Sequence, residues 1–131
     1  MTQHIGAAVI IVPDYNLGIA FYCGKLGFDL VEDTVMSPSK RWVLVAPTGA
    51  QTRILLAQAS GPEQIAAVGN QTGGRVGFFL HTTNFAHDFE QMTAAGVTFE
   101  EAPRHETYGS VAVFRDPWGN RWDLLELSDK S

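Results

Sequence analysis

The tripeptide Leu26-Gly27-Phe28 returns in the second half of the chain as Ala95-Gly96-Val97, and each copy follows a segment with helical spacing of apolar residues. A glycine directly after the last helical residue is a common helix C-cap, so both glycines are predicted to end helices. The same register places Leu55-Leu56 on Leu124-Leu125. Few of the superposed residue pairs are identical. The repeat is therefore structural, and both halves are expected to have the same order of secondary-structure elements.

On both sides of these glycines, the apolar patterns and turn residues predict the same order of elements in each half of the chain. The first half is predicted to hold a strand at 4–12, a helix at 16–26 and strands at 28–35, 41–46 and 52–57. The second half is predicted to hold a strand at 75–82, a helix at 84–95 and strands at 97–102, 110–114 and 120–127. The prediction is an α+β fold of two βαβββ modules.

The domain organisation follows from the same pattern. One domain is predicted over residues 1–131, with module one at about 4–60 and module two at about 75–128. The linker between them, at about 61–74, is predicted to contain a short helix begun by Pro62, because proline is favoured in the first helical turn.

Composition excludes several classes of protein. The 131 residues are 45% hydrophobic and 18% charged, as in a folded globular domain. Fourteen acidic residues against nine basic ones give a net charge of −5, which argues against nucleic-acid binding. No apolar run is long enough to span a membrane. The start of the chain lacks the pattern of a secretory signal and the single cysteine, Cys23, has no intramolecular partner, so a cytoplasmic protein is expected.

Several short motifs carry a family resemblance. Val12-Pro13-Asp14, then Phe21-Tyr22 and Leu26-Gly27-Phe28, are followed in the second half by Phe114-Arg115-Asp116-Pro117-Trp118-Gly119-Asn120. The chain thereby resembles the vicinal oxygen chelate superfamily, which includes glyoxalase I, extradiol dioxygenases, bleomycin-binding proteins and fosfomycin-resistance enzymes. The resemblance implies paired βαβββ modules that each curve a sheet into half of a concave cup, and it implies a homodimer.

In metal-dependent members of that superfamily, four side chains inside the cup hold a divalent ion. The resemblance places these positions at Ala7, Ile54, Val76 and Asp123, of which only Asp123 offers a metal ligand. A transition-metal site needs about three protein ligands, so no cofactor is expected, and a divalent metal would require a non-standard set of ligands. By strand alternation His81 is predicted to point away from the cup.

Strand alternation also predicts the lining of the cup. The residues on this inner face are expected to be Ala7, Val9, Ile11, Ile54, Leu56, Val76, Phe78, Leu80, Arg121, Asp123 and Leu125. The result would be an apolar hollow with one carboxylate and one guanidinium. Arg121 and Asp123 either pair with each other, or Asp123 meets a cationic or hydroxyl group of a ligand or acts as a base.

A second group of candidates lies in a predicted loop at 104–109. His105 and Tyr108 are residue types that contact ligands or transfer protons, although Tyr108 could equally pack over a strand edge while His105 is solvated. Trp42 and Trp118 are candidate stacking platforms, with a core or dimer-interface role as the alternative.

These observations support two functions. The first is a metal-free binding protein, a homodimer that holds an amphipathic or cationic small molecule. The alternative is an enzyme of the same superfamily, a lyase, isomerase or dioxygenase, with an altered site around Asp123, His105 and Tyr108. The candidate ligand-binding residues are Asp123, Arg121, His105, Tyr108, Trp42 and Phe78.

Overall fold

A computed structural model, which describes residues 2–128, contains one mixed sheet in each of two units of the chain, Met1–Gln71 and Thr72–Ser131. Unit 1 comprises β1 (Ala7–Val12), α1 (Tyr15–Ile19), a π-helical segment (Ala20–Lys25), β2 (Asp29–Ser37), β3 (Lys40–Ala46), β4 (Arg53–Gln58) and α2 (Gly61–Ala67). Unit 2 comprises β5 (Val76–His81), α3 (Phe85–Ala94), β6 (Thr98–Phe99), β7 (Arg104–Glu106), β8 (Gly109–Arg115) and β9 (Arg121–Leu127).

Both sheets have the same topology. In unit 1 the order is β1-β4-β3-β2, and in unit 2 it is β5-β9-β8-β6, with β7 also paired to β8. In each, the first strand runs parallel to the last and the remaining neighbours are antiparallel. The predicted α+β fold with two βαβββ modules is confirmed.

Two details of the second module differ from the prediction. The strand predicted at 97–102 has only two residues, β6, and the loop predicted at 104–109 begins with a further strand, β7. Pro103 stands between them. Proline has no backbone N–H for a sheet ladder, which explains why strand pairing is interrupted there.

The two module helices end alike but differ by one residue. Asp14 and Asn84 accept backbone hydrogen bonds as side-chain N-caps, and Gly27 and Gly96 follow the helices with φ of 80° and 93°. The segment from Asp14 to Gly27 is one residue longer than that from Asn84 to Gly96. The π-helical segment Ala20–Lys25 accommodates this additional residue, as π-helical turns commonly do. The predicted helix at 16–26 is therefore part α-helix and part π-helix.

The core of unit 1 lies between α1 and its sheet. Ile10, Val12 and Leu56 have no exposed surface. A Cβ on Gly18 would lie 3.1 Å from Leu56 and 3.2 Å from Val12, so the glycine allows α1 to approach the sheet closely. One face of the sheet is thus covered by α1.

The core of unit 2 is a row of aromatic rings beneath α3. Ring centroids are 4.4 Å apart between Phe89 and Phe99, 5.6 Å between Phe99 and Phe114, and 5.7 Å between Phe114 and Trp122. Phe78 stacks on Trp122 at 4.8 Å. These contacts define the α3 side of the sheet and bury Trp122 there, as the alternation of β9 predicts.

The turn between β8 and β9 is organised by one buried carboxylate. Asp116 Oδ1 accepts hydrogen bonds from the backbone N–H groups of Trp118, Gly119 and Asn120 at 3.1, 3.0 and 2.9 Å. Its Oδ2 accepts one from Asn120 Nδ2 at 2.6 Å. The motif that carried the family resemblance thus sets the geometry of the hairpin that leads into β9.

Within residues 2–128, every helix is too short or too polar to span a lipid bilayer.

Candidate functional site

The faces of the unit 2 sheet are set by a bulge at Gly77. Val76 pairs with Arg121, but Phe78 pairs with Trp122, so β5 advances two residues while β9 advances one. An extra residue in one strand of a ladder inverts the faces of all the side chains that follow it.

The bulge overturns three assignments made from strand alternation. Phe79 pairs with Asp123 and shares its face, and His81 falls on the same face two residues later. Phe78 and Leu80 lie on the α3 side instead. The predictions that Phe78 and Leu80 line the Asp123 face, and that His81 points away from it, are therefore wrong.

A similar correction applies in unit 1. Parallel pairing matches Ala7 with Arg53 and Ile10 with Leu56, so Leu56 lies on the α1 side. Ile54, two residues earlier, also faces that side. The prediction that Ile54 and Leu56 share a face with Ala7 is wrong, and the residue beside Ala7 is Arg53, a permanent cation that does not ligate metals.

Asp123 is a partly buried carboxylate in the middle of β9. Burial raises its pKa, the charge of Glu101 raises it further, and the guanidinium groups of Arg104 and Arg121 oppose the rise. The carboxylate makes no hydrogen bond or ion pair with any residue in 2–128. Its charge is therefore left without a direct counterion, which is unfavourable for a group removed from water.

Both nearby arginines are committed to other carboxylates. Arg121 donates from Nε and Nη2 to the two carboxylate oxygens of Glu100, each at 2.9 Å. Arg104 Nε lies 3.1 Å from Glu101. The hydrogen bond from Arg121 lowers the pKa of Glu100. Of the two sequence-based interpretations, direct pairing of Arg121 with Asp123 is therefore wrong.

The structure separates His105 from Asp123. His105 pairs with Ser110 in register, and Ser110 pairs with Glu126. The Glu126 carboxylate accepts a hydrogen bond from the backbone N–H of Phe85 in α3 at 2.7 Å. His105 therefore faces α3, on the side of the sheet opposite Asp123, and its Nδ1 lies 2.9 Å from Ser110 Oγ.

Tyr108 lies in the turn between β7 and β8 and is 41% exposed. Its backbone carbonyl accepts a hydrogen bond from the N–H of Ser128 at 2.8 Å. Glu101 first, and then the Tyr108 side chain, raise the pKa of Arg104. Tyr108 thus stands beside a charged neighbour of Asp123.

Trp42 belongs to unit 1, in the centre of β3. Trp42 is 40% exposed, and its backbone position on β3 pairs with Thr34 on β2. The next residue, Val43, is fully buried on the α1 side, so Trp42 lies on the sheet face away from α1. Val9, on the same face of β1, is 46% exposed. This face of unit 1 is therefore apolar and partly open.

Phe79 and Glu101 are neighbours of Asp123 that the sequence pattern does not predict. Phe79 is 59% exposed and directly follows Phe78, the residue that strand alternation places on the Asp123 face. The available signal was Gly77, because an isolated glycine within a strand pattern often marks a bulge. Glu101 gave no local signal, since it approaches Asp123 only through the pairing of the β6–β7 region with β8.

The donors around Asp123 do not suit a divalent metal. Across residues 2–128, His, Cys, Asp and Glu side chains form no group of three or more that could hold an ion. The charged groups that act on Asp123 include two arginines, whose guanidinium groups cannot serve as metal ligands. The donor set that residues 2–128 place around Asp123 therefore gives no support for a bound divalent ion.

Comparison with known proteins finds a match over almost the whole chain. The profile of the Glyoxalase/Bleomycin resistance protein/Dioxygenase superfamily matches residues 4–124. An uncharacterized protein of Shewanella frigidimarina (strain NCIMB 400) is 48% identical over 132 residues, which cover 99% of this chain and 98% of the relative.

Two solved structures are also similar. The crystal structure of UcmS2 has a TM-score of 0.82 and 30% sequence identity, covering 95% of this chain and 98% of that one. TnmS3, described as an antibiotic binding protein from Streptomyces sp. CB03234, has a TM-score of 0.78 and 29% identity, covering 97% of this chain and 98% of that one.

Proposed function

This chain belongs to the Glyoxalase/Bleomycin resistance protein/Dioxygenase superfamily, and from that premise we propose that it is a binding protein for a cationic, amphipathic small molecule and works without a metal. We further propose that it acts in the cytoplasm, in keeping with its single cysteine.

The observation that carries this proposal is the carboxylate of Asp123, which has no hydrogen-bond or ion-pair partner among residues 2–128. Burial raises its pKa, and its arginine neighbours are engaged by Glu100 and Glu101. A ligand cation at this position supplies the missing counterion. Charge-assisted hydrogen bonds to a partly desolvated carboxylate are stronger than those to a hydrated one.

Apolar residues around Asp123 provide the rest of the site. Phe79, its partner in the ladder, presents a largely exposed ring, and Val113 flanks Asp123 on the other side. An amphipathic ligand gains affinity by covering such rings, because aromatic side chains bury large areas at low entropic cost. Arg121 and Glu100 form a charged border that orients the polar part of the ligand.

The similarity to TnmS3 supports binding as the function. That protein is described as antibiotic binding, and its fold matches this chain over nearly its full length. Superfamily membership alone also accommodates enzymes, since one fold supports many activities. The donor set around Asp123 favours the binding protein over a metal-dependent lyase, isomerase or dioxygenase.

A fluorescence titration with ethidium, a planar aromatic cation, tests this proposal. We expect saturable binding, weakened about thirtyfold or more by Asp123→Asn, since truncating one partner of a desolvated charge pair typically costs about 2 kcal/mol or more. Glu63→Gln removes one exposed acidic charge from α2 and serves as the matched control, with unchanged affinity.

Two results would contradict the proposal. One is equal affinity of ethidium for the wild type and Asp123→Asn. The other is stoichiometric transition metal retained in native mass spectrometry of the purified protein and lost in Asp123→Asn, which would indicate a metal-dependent enzyme instead.

A further inference from the structure

A cavity of about 590 Å³ lies in unit 2 between α3 and the start of β7. Small-molecule sites in proteins commonly have volumes of about 300–1,000 Å³. One wall consists of two adjacent rows of α3 side chains, with Phe85 and Phe89 in the first row and Ala86 and Glu90 in the second. Residues four apart lie above one another on a helix, so each row is a continuous ridge.

The aromatic row gives this wall a rigid surface. Phe85 is only 5% exposed, and its ring stacks with that of Phe89 at a centroid distance of 6.1 Å and an interplanar angle of 13°. Phe89 in turn packs on Phe99 in the core. The small side chains of Ala86 and Ala94 leave room in front of these rings.

Polar groups of two different elements converge on the cavity. His105 lines the opposite wall beside Pro103. Because His105 Nδ1 is engaged with Ser110 Oγ at 2.9 Å, its Nε2 is the ring nitrogen left for a ligand. Glu90 is exposed and its carboxylate makes no hydrogen bond or ion pair with any residue in 2–128.

From this arrangement we propose that the groove between α3 and β7 is a second small-molecule site, which takes an aromatic amine. The ring system packs against Phe85 and Phe89, and the protonated amine meets the carboxylate of Glu90. The net charge of −5 also favours a cationic ligand. The site is independent of the proposed function, because His105 and α3 lie on the sheet side opposite Asp123.

Titration of the ¹⁵N-labelled full chain with 1-naphthylmethylamine, followed by amide chemical shifts, tests the proposal. We expect shifts concentrated in α3 and at His105, with 1-naphthoic acid binding more weakly than the amine. Glu90→Gln is expected to weaken amine binding about three- to fivefold, the range of a partly exposed ion pair. The control Glu63→Gln, an equivalent charge loss on α2, is expected to leave the affinity unchanged.

A second variant tests the cavity itself. Ala94→Trp places an indole in the groove from an exposed helical position and is expected to reduce amine affinity more than tenfold while the helical circular dichroism stays at the wild-type level. Asp123→Asn is expected to leave the amine-induced shift changes in α3 unchanged. Loss of binding at the groove can therefore be distinguished from loss of binding at Asp123.

Three outcomes would overturn the proposal. The first is absence of shifts in α3 at millimolar amine. The second is equal affinity of the wild type, Glu90→Gln and Ala94→Trp. The third is a change in the α3 signals with protein concentration alone, which would show that a second copy of the chain covers the groove.

Discussion

Asp123 and Glu100 are two carboxylates of unit 2 whose pKa values shift in opposite directions. Burial raises the pKa of Asp123, so at neutral pH its charge disfavours the folded chain relative to the unfolded one. We expect Asp123→Asn to raise the free energy of unfolding at pH 7 by less than about 1 kcal/mol, because the side chain stays partly exposed. The gain should fade as pH falls through the folded pKa and be lost below the unfolded pKa of about 3.9, where the carboxyl is protonated in both states. Urea denaturation between about pH 7 and 3 measures this.

Glu100→Gln is the matched comparison with the opposite sign. The hydrogen bond from Arg121 lowers the pKa of Glu100, so this carboxylate stabilises the fold above its unfolded pKa, and that contribution is lost as pH falls through the folded value. We expect Glu100→Gln to lower the free energy of unfolding at pH 7 by up to about 1 kcal/mol. If both variants changed stability in the same direction across this pH range, the assignment of the two environments would be wrong.

Two glycines before β2 are expected to respond to alanine substitution in opposite directions. Gly24 lies inside the π-helical segment, and Gly27 follows the helix. A Cβ on Gly24, within the π-helical segment, would meet no atom within 4 Å, whereas Gly27 has a φ of 80°. Since glycine is unfavourable inside a helix, Gly24→Ala is expected to raise the free energy of unfolding by about 0.5–1 kcal/mol. Gly27→Ala is expected to lower it by about 1–2 kcal/mol, because the left-handed region is strained for alanine. Urea denaturation of the pair is decisive: equal effects would refute the described backbone.

At the scale of the whole molecule, the edge of the unit 1 sheet predicts self-association. β2 is the end strand of its sheet, and Val35 and Met36 on it are 72% and 59% exposed. Exposed apolar edge strands of this kind tend to pair with another chain. We expect a homodimer at micromolar concentration that Val35→Lys converts to a monomer in sedimentation velocity. Ile65→Lys, at a position on α2 that is 63% exposed, is expected to leave the dimer intact. A wild-type monomer would contradict the expectation.

The order of the elements apart from β7, both helix ends and the turn into β9 could be predicted from the amino-acid sequence. These features depend on contacts between residues close in the chain, such as the Asp116 carboxylate with the next backbone N–H groups and the glycines that follow each helix. Local hydrogen bonding and backbone preferences are properties of a short segment, so they can be recognised without the fold. Asp123 was identified through the family resemblance, which places a metal-ligand position there.

The side chains that surround Asp123 depend on long-range strand pairing and could not be predicted from local sequence. The bulge at Gly77 moved Phe79 to its face and Phe78 away, because strand alternation has a period of two and one extra residue inverts all that follow. The ion pair of Arg121 with Glu100 joins residues 21 positions apart, and strand pairing across β8 creates it. The sequence specifies the charge and shape of each side chain. The partners of that side chain depend on strand register, which is determined by the packing of the whole sheet.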